Sequence, residues 1–120
     1  MRVRAARGAI VVGADTPEQV LDATQRLLSA MLDRNAVETG DLISILFTAT
    51  DDLTSVFPAE AARRMGMGVV PLMCAREIHV EGAMGSVVRV LMHFHSERTL
   101  DEVLHVYLDG AEVLRDDLDH

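Results

Sequence analysis

At 120 residues the chain is long enough for one domain with a real hydrophobic core, and leaves little room for a second. Its 49% hydrophobic and 25% charged content is that of a soluble globular protein, no apolar run approaches the roughly 20 residues that span a bilayer, and the net charge of -8 works against nucleic acid as a partner. A single cysteine, Cys74, excludes an internal disulfide and leaves no thiolate cluster for zinc or iron and sulfur.

Arg2 to Val12 is rich in Val, Ile and Ala and predicts a first strand, closed by Gly13. The arginines at 2, 4 and 7 and the lack of a continuous apolar core are unlike a secretory signal, so a cytoplasmic address is expected. Thr16-Pro17-Glu18-Gln19 then opens a helix, with Thr16 as N-cap, Pro17 at the first helical position and Gln19 completing a capping box. Val20, Ala23, Leu27, Leu28 and Met31 recur at helical spacing while Asp22, Gln25, Arg26 and Ser29 face away. That pattern predicts one amphipathic helix to about Arg34, with a single buried face.

Leu42 to Phe47 predicts a second strand, with a turn at Asp51-Asp52. Pro58 to Met65 predicts a short helix ended by Gly66. Val69 to Met73 reads as a third strand, with Cys74-Ala75-Arg76-Glu77 where the chain turns, and Ser86 to His95 as a fourth. Thr99-Leu100-Asp101-Glu102 is a capping box over one or two helical turns. A last hairpin is expected from His105 to Leu108 and Ala111 to Leu114, turning at Asp109-Gly110. The order is β, α, β, α, then mostly β, a single α+β domain over residues 1–120. One helix covers one sheet face and leaves the other bare, so a closed homo-oligomer with sites between subunits is the natural completion.

No Ser, His and Asp arrangement, glycine-rich phosphate loop, His-Glu-x-x-His or Cys-x-x-Cys occurs. His93 and His95 share a strand face that could seat a metal, although packed or solvated histidines explain them better and no metal is expected. All eleven basic residues are arginine, a rigid fork suited to carboxylates, though a genomic preference for arginine gives the same composition. Arg89 stands out because Val87, Val88, Val90 and Leu91 around it are aliphatic. A cation in a buried strand that cannot neutralise itself needs an anion, either a carboxylate of the protein or an electron-rich oxygen of a ligand. Arg7, Arg63, Arg64 and Arg115 join it as a set suited to a small polyanion, whereas Arg2, Arg4, Arg26, Arg34 and Arg98 read as surface charges. Cys74 and Glu77 leave three readings open: a nucleophile with His79 as its base, a pair that orients a ligand hydroxyl, or a buried cysteine beside a surface glutamate.

In their order and spacing these residues resemble the monofunctional, trimeric chorismate mutases of the AroH class. The likeness runs through Arg4 and Arg7-Gly8-Ala9, Ala49-Thr50-x-Asp52-Leu53, Val56-Phe57-Pro58-Ala59 and Arg63. It continues through Val70-Pro71, Cys74, Glu77, Arg89-Val90, His105-Val106-Tyr107-Leu108 and Val113-Leu114-Arg115-x-Asp117-Leu118. The resemblance implies a mixed sheet with one long helix and short helices, in a homotrimer that forms a pseudo α/β barrel with sites between subunits. It also implies the rearrangement of chorismate to prephenate, in aromatic amino acid biosynthesis, with no cofactor, no metal and no covalent intermediate. Arg89 would then meet the ether oxygen and Arg7 a carboxylate; Glu77 would sit near the ring, with Cys74 placing the ring hydroxyl. Tyr107 would bind the side-chain carboxylate, Phe57, Ala59, Met73 and Leu114 would shape the wall, and Arg63 and Arg115 would close the opening. Two positions depart from the pattern: Glu60 stands where a basic residue is expected, and Met73 where a threonine is more usual. The competing expectation is a non-catalytic trimer of related fold that binds a keto acid or dicarboxylate.

Overall fold

Apolar, β-branched segments gather into one mixed sheet in the computed structural model, which describes residues 1–118 and side chains as far as Leu114. The strands are β1 (Arg2–Val11), β2 (Leu42–Ala49), β3 (Leu72–Arg76), β4 (Val87–Ser96) and β5 (Val106–Leu108). They lie in the order β3-β2-β4-β1-β5. Central β4 runs antiparallel to both β1 and β2, while β3 and β5 add parallel edges to β2 and β1. Parallel neighbours need crossovers; a short helix α2 (Ala59–Arg64) lies in the one between β2 and β3.

The long helix α1 (Pro17–Arg34) begins at the expected N-cap, where the Thr16 hydroxyl accepts the Gln19 N–H at 3.2 Å; the expected capping box is not closed by Gln19, because the Thr16 N–H donates to the Ala14 carbonyl at 2.9 Å. The five expected core residues are all buried, joined by Leu21 and Thr24. Helix and sheet approach closely at Gly8, where an added Cβ would lie 2.5 Å from the Met31 sulfur. At the far end buried Asn35 donates to the carbonyls of Met31 at 3.0 Å and Leu104 at 2.9 Å, and accepts the Leu104 N–H at 2.8 Å. One side chain thus closes the helix and fastens the approach to β5. The expected capping box at Thr99 and Glu102 is present over a single 3-10 turn. Among the described residues no helix is long and apolar enough to cross a membrane.

Two expected elements are corrected. The third strand is displaced, so that Cys74, Ala75 and Arg76 lie in β3 rather than in a turn after it. Pro71 has no N–H to give; its carbonyl accepts from Ile45 and ladder pairing begins only at Leu72. The final hairpin is absent among the described residues. Asp109 and Gly110 do adopt the positive φ that the turn requires, 54° and 99°, but Ala111–Leu118 then coils into a 3-10 helix. The Glu112 carboxylate accepts the Gly110 N–H at 2.8 Å, and Ala111 is buried against Tyr107.

The second sheet face is covered at one end, where Ala9, Val87, Tyr107 and Ala111 pack together, and is left open over the rest. Register pairs Arg7 with Leu91 and Leu46 with both Leu91 and Met73, so these side chains share the face opposite α1. Val3, Leu91 and Met73 are exposed there.

Candidate active site

Arg89 lies opposite Ala9 on β1 and Thr48 on β2, and Tyr107 on β5 lies opposite Ala9. Strand alternation therefore brings Arg7, Arg89, Thr48 and the buried Tyr107 to the sheet face opposite α1. They line a hollow of about 380 Å³, with Leu46 and Leu114 completing its wall. Leu114 reaches it because the segment after Gly110 is helical rather than extended.

The anion that Arg89 needs comes from its own chain. Its Nε donates to Glu77 Oε2 at 2.8 Å, and the two side chains are 41% and 17% exposed. Arg89 is thus half-buried, not enclosed in a fully buried strand as its neighbours suggest. Val88 and Val90 point to the core whereas Leu91 is an exposed apolar residue, which made the run look buried on both faces. No other hydrogen bond engages the guanidinium among the described residues, and Arg89 lines this hollow as well as a smaller one of about 150 Å³ that it shares with Glu77. The same Glu77 oxygen accepts the Thr48 hydroxyl at 2.7 Å, and the Glu77 N–H donates to the Ala49 carbonyl at 3.0 Å. Arg7 is held through its main chain, where its N–H donates to His105 Nδ1 at 2.9 Å. That bond makes Nδ1 the acceptor of the imidazole.

The remaining expected residues lie elsewhere. Cys74 pairs with buried Phe47 in the ladder and so points to the opposite side of the sheet from Arg89. With Phe57 it lines a second hollow of about 420 Å³, to which Thr50, Pro58 and Arg76 also contribute. His79, the base a nucleophilic Cys74 would require, lies instead 3.7 Å from Asp51. Phe57 and Met73 are 73% and 61% exposed, facing outward. Ala59 is buried in the core and lines none of these hollows of the single chain. Arg63 and Arg64 both contact Glu60 at 3.3 Å. The guanidinium of Arg64, then that of Arg63, hold the Glu60 carboxyl below the usual carboxylate range. The acidic departure is thereby offset locally. The Arg115 side chain lies outside the described residues.

Sequence reasoning missed Leu46 and Thr48, because it treated Thr48 as lying beyond the strand's end. Continued alternation through Ser44, Leu46 and Thr48 was the available signal. His93 sits 3.3 Å from the Ser44 hydroxyl, and no cluster of three metal-ligating side chains occurs among the described residues.

The chain matches the family model described as chorismate mutase type I over residues 3–118. It is 49% identical over 118 residues to chorismate mutase AroH of Thermus thermophilus, covering 98% of this chain and 97% of that protein. It is 39% identical over 119 residues to chorismate mutase AroH of Bacillus subtilis, covering 98% and 94% respectively. The solved chorismate mutase from Clostridium thermocellum superposes with a TM-score of 0.89 at 44% identity, covering 91% of this chain and 97% of that one. These likenesses do not favour a non-catalytic binder.

Proposed function

This chain belongs to the chorismate mutase type I family, and on that premise we propose that the hollow beside Arg89 is where it isomerises chorismate to prephenate. In this rearrangement an ether carbon–oxygen bond breaks as a carbon–carbon bond forms within one molecule. The oxygen gains negative charge and the ring gains positive charge on the way. Fixed charges are therefore the useful catalysts, since they bind the transition state more tightly than the substrate.

One observation carries the assignment: Arg89, anchored at Nε by Glu77, lines a hollow shared with Arg7 and Tyr107. The anchored guanidinium stabilises the ether oxygen as it becomes electron-rich. Glu77 balances Arg89 in the empty site and answers the developing positive charge of the ring. Arg7 and Tyr107 take the substrate carboxylates, and Leu114 forms wall. Cys74, Phe57 and Met73 complete the site from a neighbouring subunit, where the Cys74 thiol places the ring hydroxyl. Arg63 and Arg115 close over the opening, Arg63 by releasing Glu60.

This division of labour requires a homotrimer with sites between subunits. It is supported by the apolar sheet face left open at Val3, Leu91 and Met73, and by the outward exposure of Phe57 on a different surface from Arg89. A dicarboxylate does not cross a bilayer unaided, which supports a cytoplasmic address and the hand-over of prephenate to other enzymes there. Loss of chorismate absorbance with formation of prephenate tests the activity. Folded protein that leaves chorismate untouched would overturn it.

A further inference from the structure

We propose that Thr48 is a positioning residue for this reaction, its hydroxyl fixing the Glu77 carboxylate that in turn fixes Arg89. The inference rests on the roles given above to Glu77 and Arg89.

Thr48 stands directly opposite Arg89 in the β2–β4 ladder. Its hydroxyl donates to Glu77 Oε2 at 2.7 Å, the same oxygen that accepts Arg89 Nε at 2.8 Å. A hydroxyl has one proton to give, and here it goes to the atom on which the guanidinium turns. The donor is itself well fixed, because a β-branched side chain has few χ1 states and Thr48 lies within a strand paired on both sides.

Glu77 is less constrained. It lies one residue beyond β3, tied by a single main-chain bond to Ala49 and carrying three side-chain torsions. Among the described residues, only the side chains of Thr48 and Arg89 bond its carboxylate. Without the hydroxyl the carboxylate is free to turn about its bond to Arg89, and the guanidinium loses its fixed bearing on the hollow. Catalysis by prepositioned charge is sensitive to displacements of this kind.

The test compares Thr48→Val, which keeps the shape and removes the hydroxyl, with Thr48→Ser, which keeps the hydroxyl. In Thr48→Val kcat falls about tenfold with KM changed by less than about threefold, because placement acts on the transition state. Thr48→Ser restores kcat. A crystal structure of Thr48→Val, which needs no substrate, shows the Glu77 carboxylate and the Arg89 guanidinium turned from their wild-type positions, and that of Thr48→Ser shows both in place. A merely structural role would lower the melting temperature and leave kcat and the Glu77–Arg89 geometry as they are. Unchanged kcat in Thr48→Val, a Glu77–Arg89 pair that does not move, or a Thr48→Ser variant as impaired as Thr48→Val each overturns the proposal. An inert wild type refutes the proposed function itself, and the crystal structures distinguish that outcome from failure of the Thr48 contact.

Discussion

Arg89→Ala removes the one guanidinium anchored by Glu77 at the edge of the hollow. At the roughly 3 Å of a hydrogen bond and an effective dielectric of about 20, a full charge pair is worth about 5 kcal/mol. The ether oxygen develops only part of a charge; at about half, the term is about 3 kcal/mol, near the lower end of the losses measured for single oxyanion donors. Barrier arithmetic converts this to a fall in kcat of about 100-fold, extending toward 1000-fold as bound substrate excludes water from a side chain that is 41% exposed without it. Stability changes little, because a half-exposed ion pair contributes about 1 kcal/mol at most. The assay is the initial rate of chorismate absorbance loss, with KM measured separately and melting followed by circular dichroism. Arg89→Lys keeps the charge without the fork and falls between wild type and Arg89→Ala. A folded Arg89→Ala variant whose kcat stays within tenfold of wild type refutes the electrostatic reasoning.

Other perturbations separate fold, assembly and site. Gly8→Ala drives a methyl into the Met31 sulfur and costs about 1–3 kcal/mol in urea unfolding; an unchanged midpoint would show that the α1 packing yields more easily than expected. Leu91→Arg places a charge on the uncovered apolar face, and light scattering should find it reduced to monomers that have lost activity, whereas an intact active trimer rules this face out as the interface. Asp52 is held below its usual carboxyl pKa by the Thr50 hydroxyl and the Ser86 N–H. It therefore contributes stability above its unfolded pKa that is lost as pH falls through the folded value, so Asp52→Asn should melt lower than wild type at pH 7 with the gap closing below about pH 4; a constant gap would contradict that linkage.

What the sequence disclosed and what it hid follow from the range of the interactions. The Thr16 cap, the α1 periodicity and the Thr99–Glu102 box each span three or four residues, and spacing alone reads them. The Asp109-Gly110 turn is equally local, yet the segment after it is decided by burial of Ala111 against Tyr107, which no turn residue encodes. Val69 and Val70 look like a strand; Val70 in fact anchors a turn in the core while Val69 is exposed, because Pro71 delays ladder pairing. The partners of Arg89 were harder still. Glu77 is 12 residues away along the chain, and Thr48 lies 29 residues before Glu77, so their convergence depends on strand order. Physical reading required an anion at Arg89 without identifying it. Resemblance supplied Phe57 and Met73 and joined Cys74, already singled out beside Glu77, to Arg89; their exposure or opposite sheet face offers a single chain no reason to bring them together. Their separation fits the proposed division of the site between subunits: residues that meet only across an interface are surface residues of the isolated fold, and on that proposal no intrachain contact marks them.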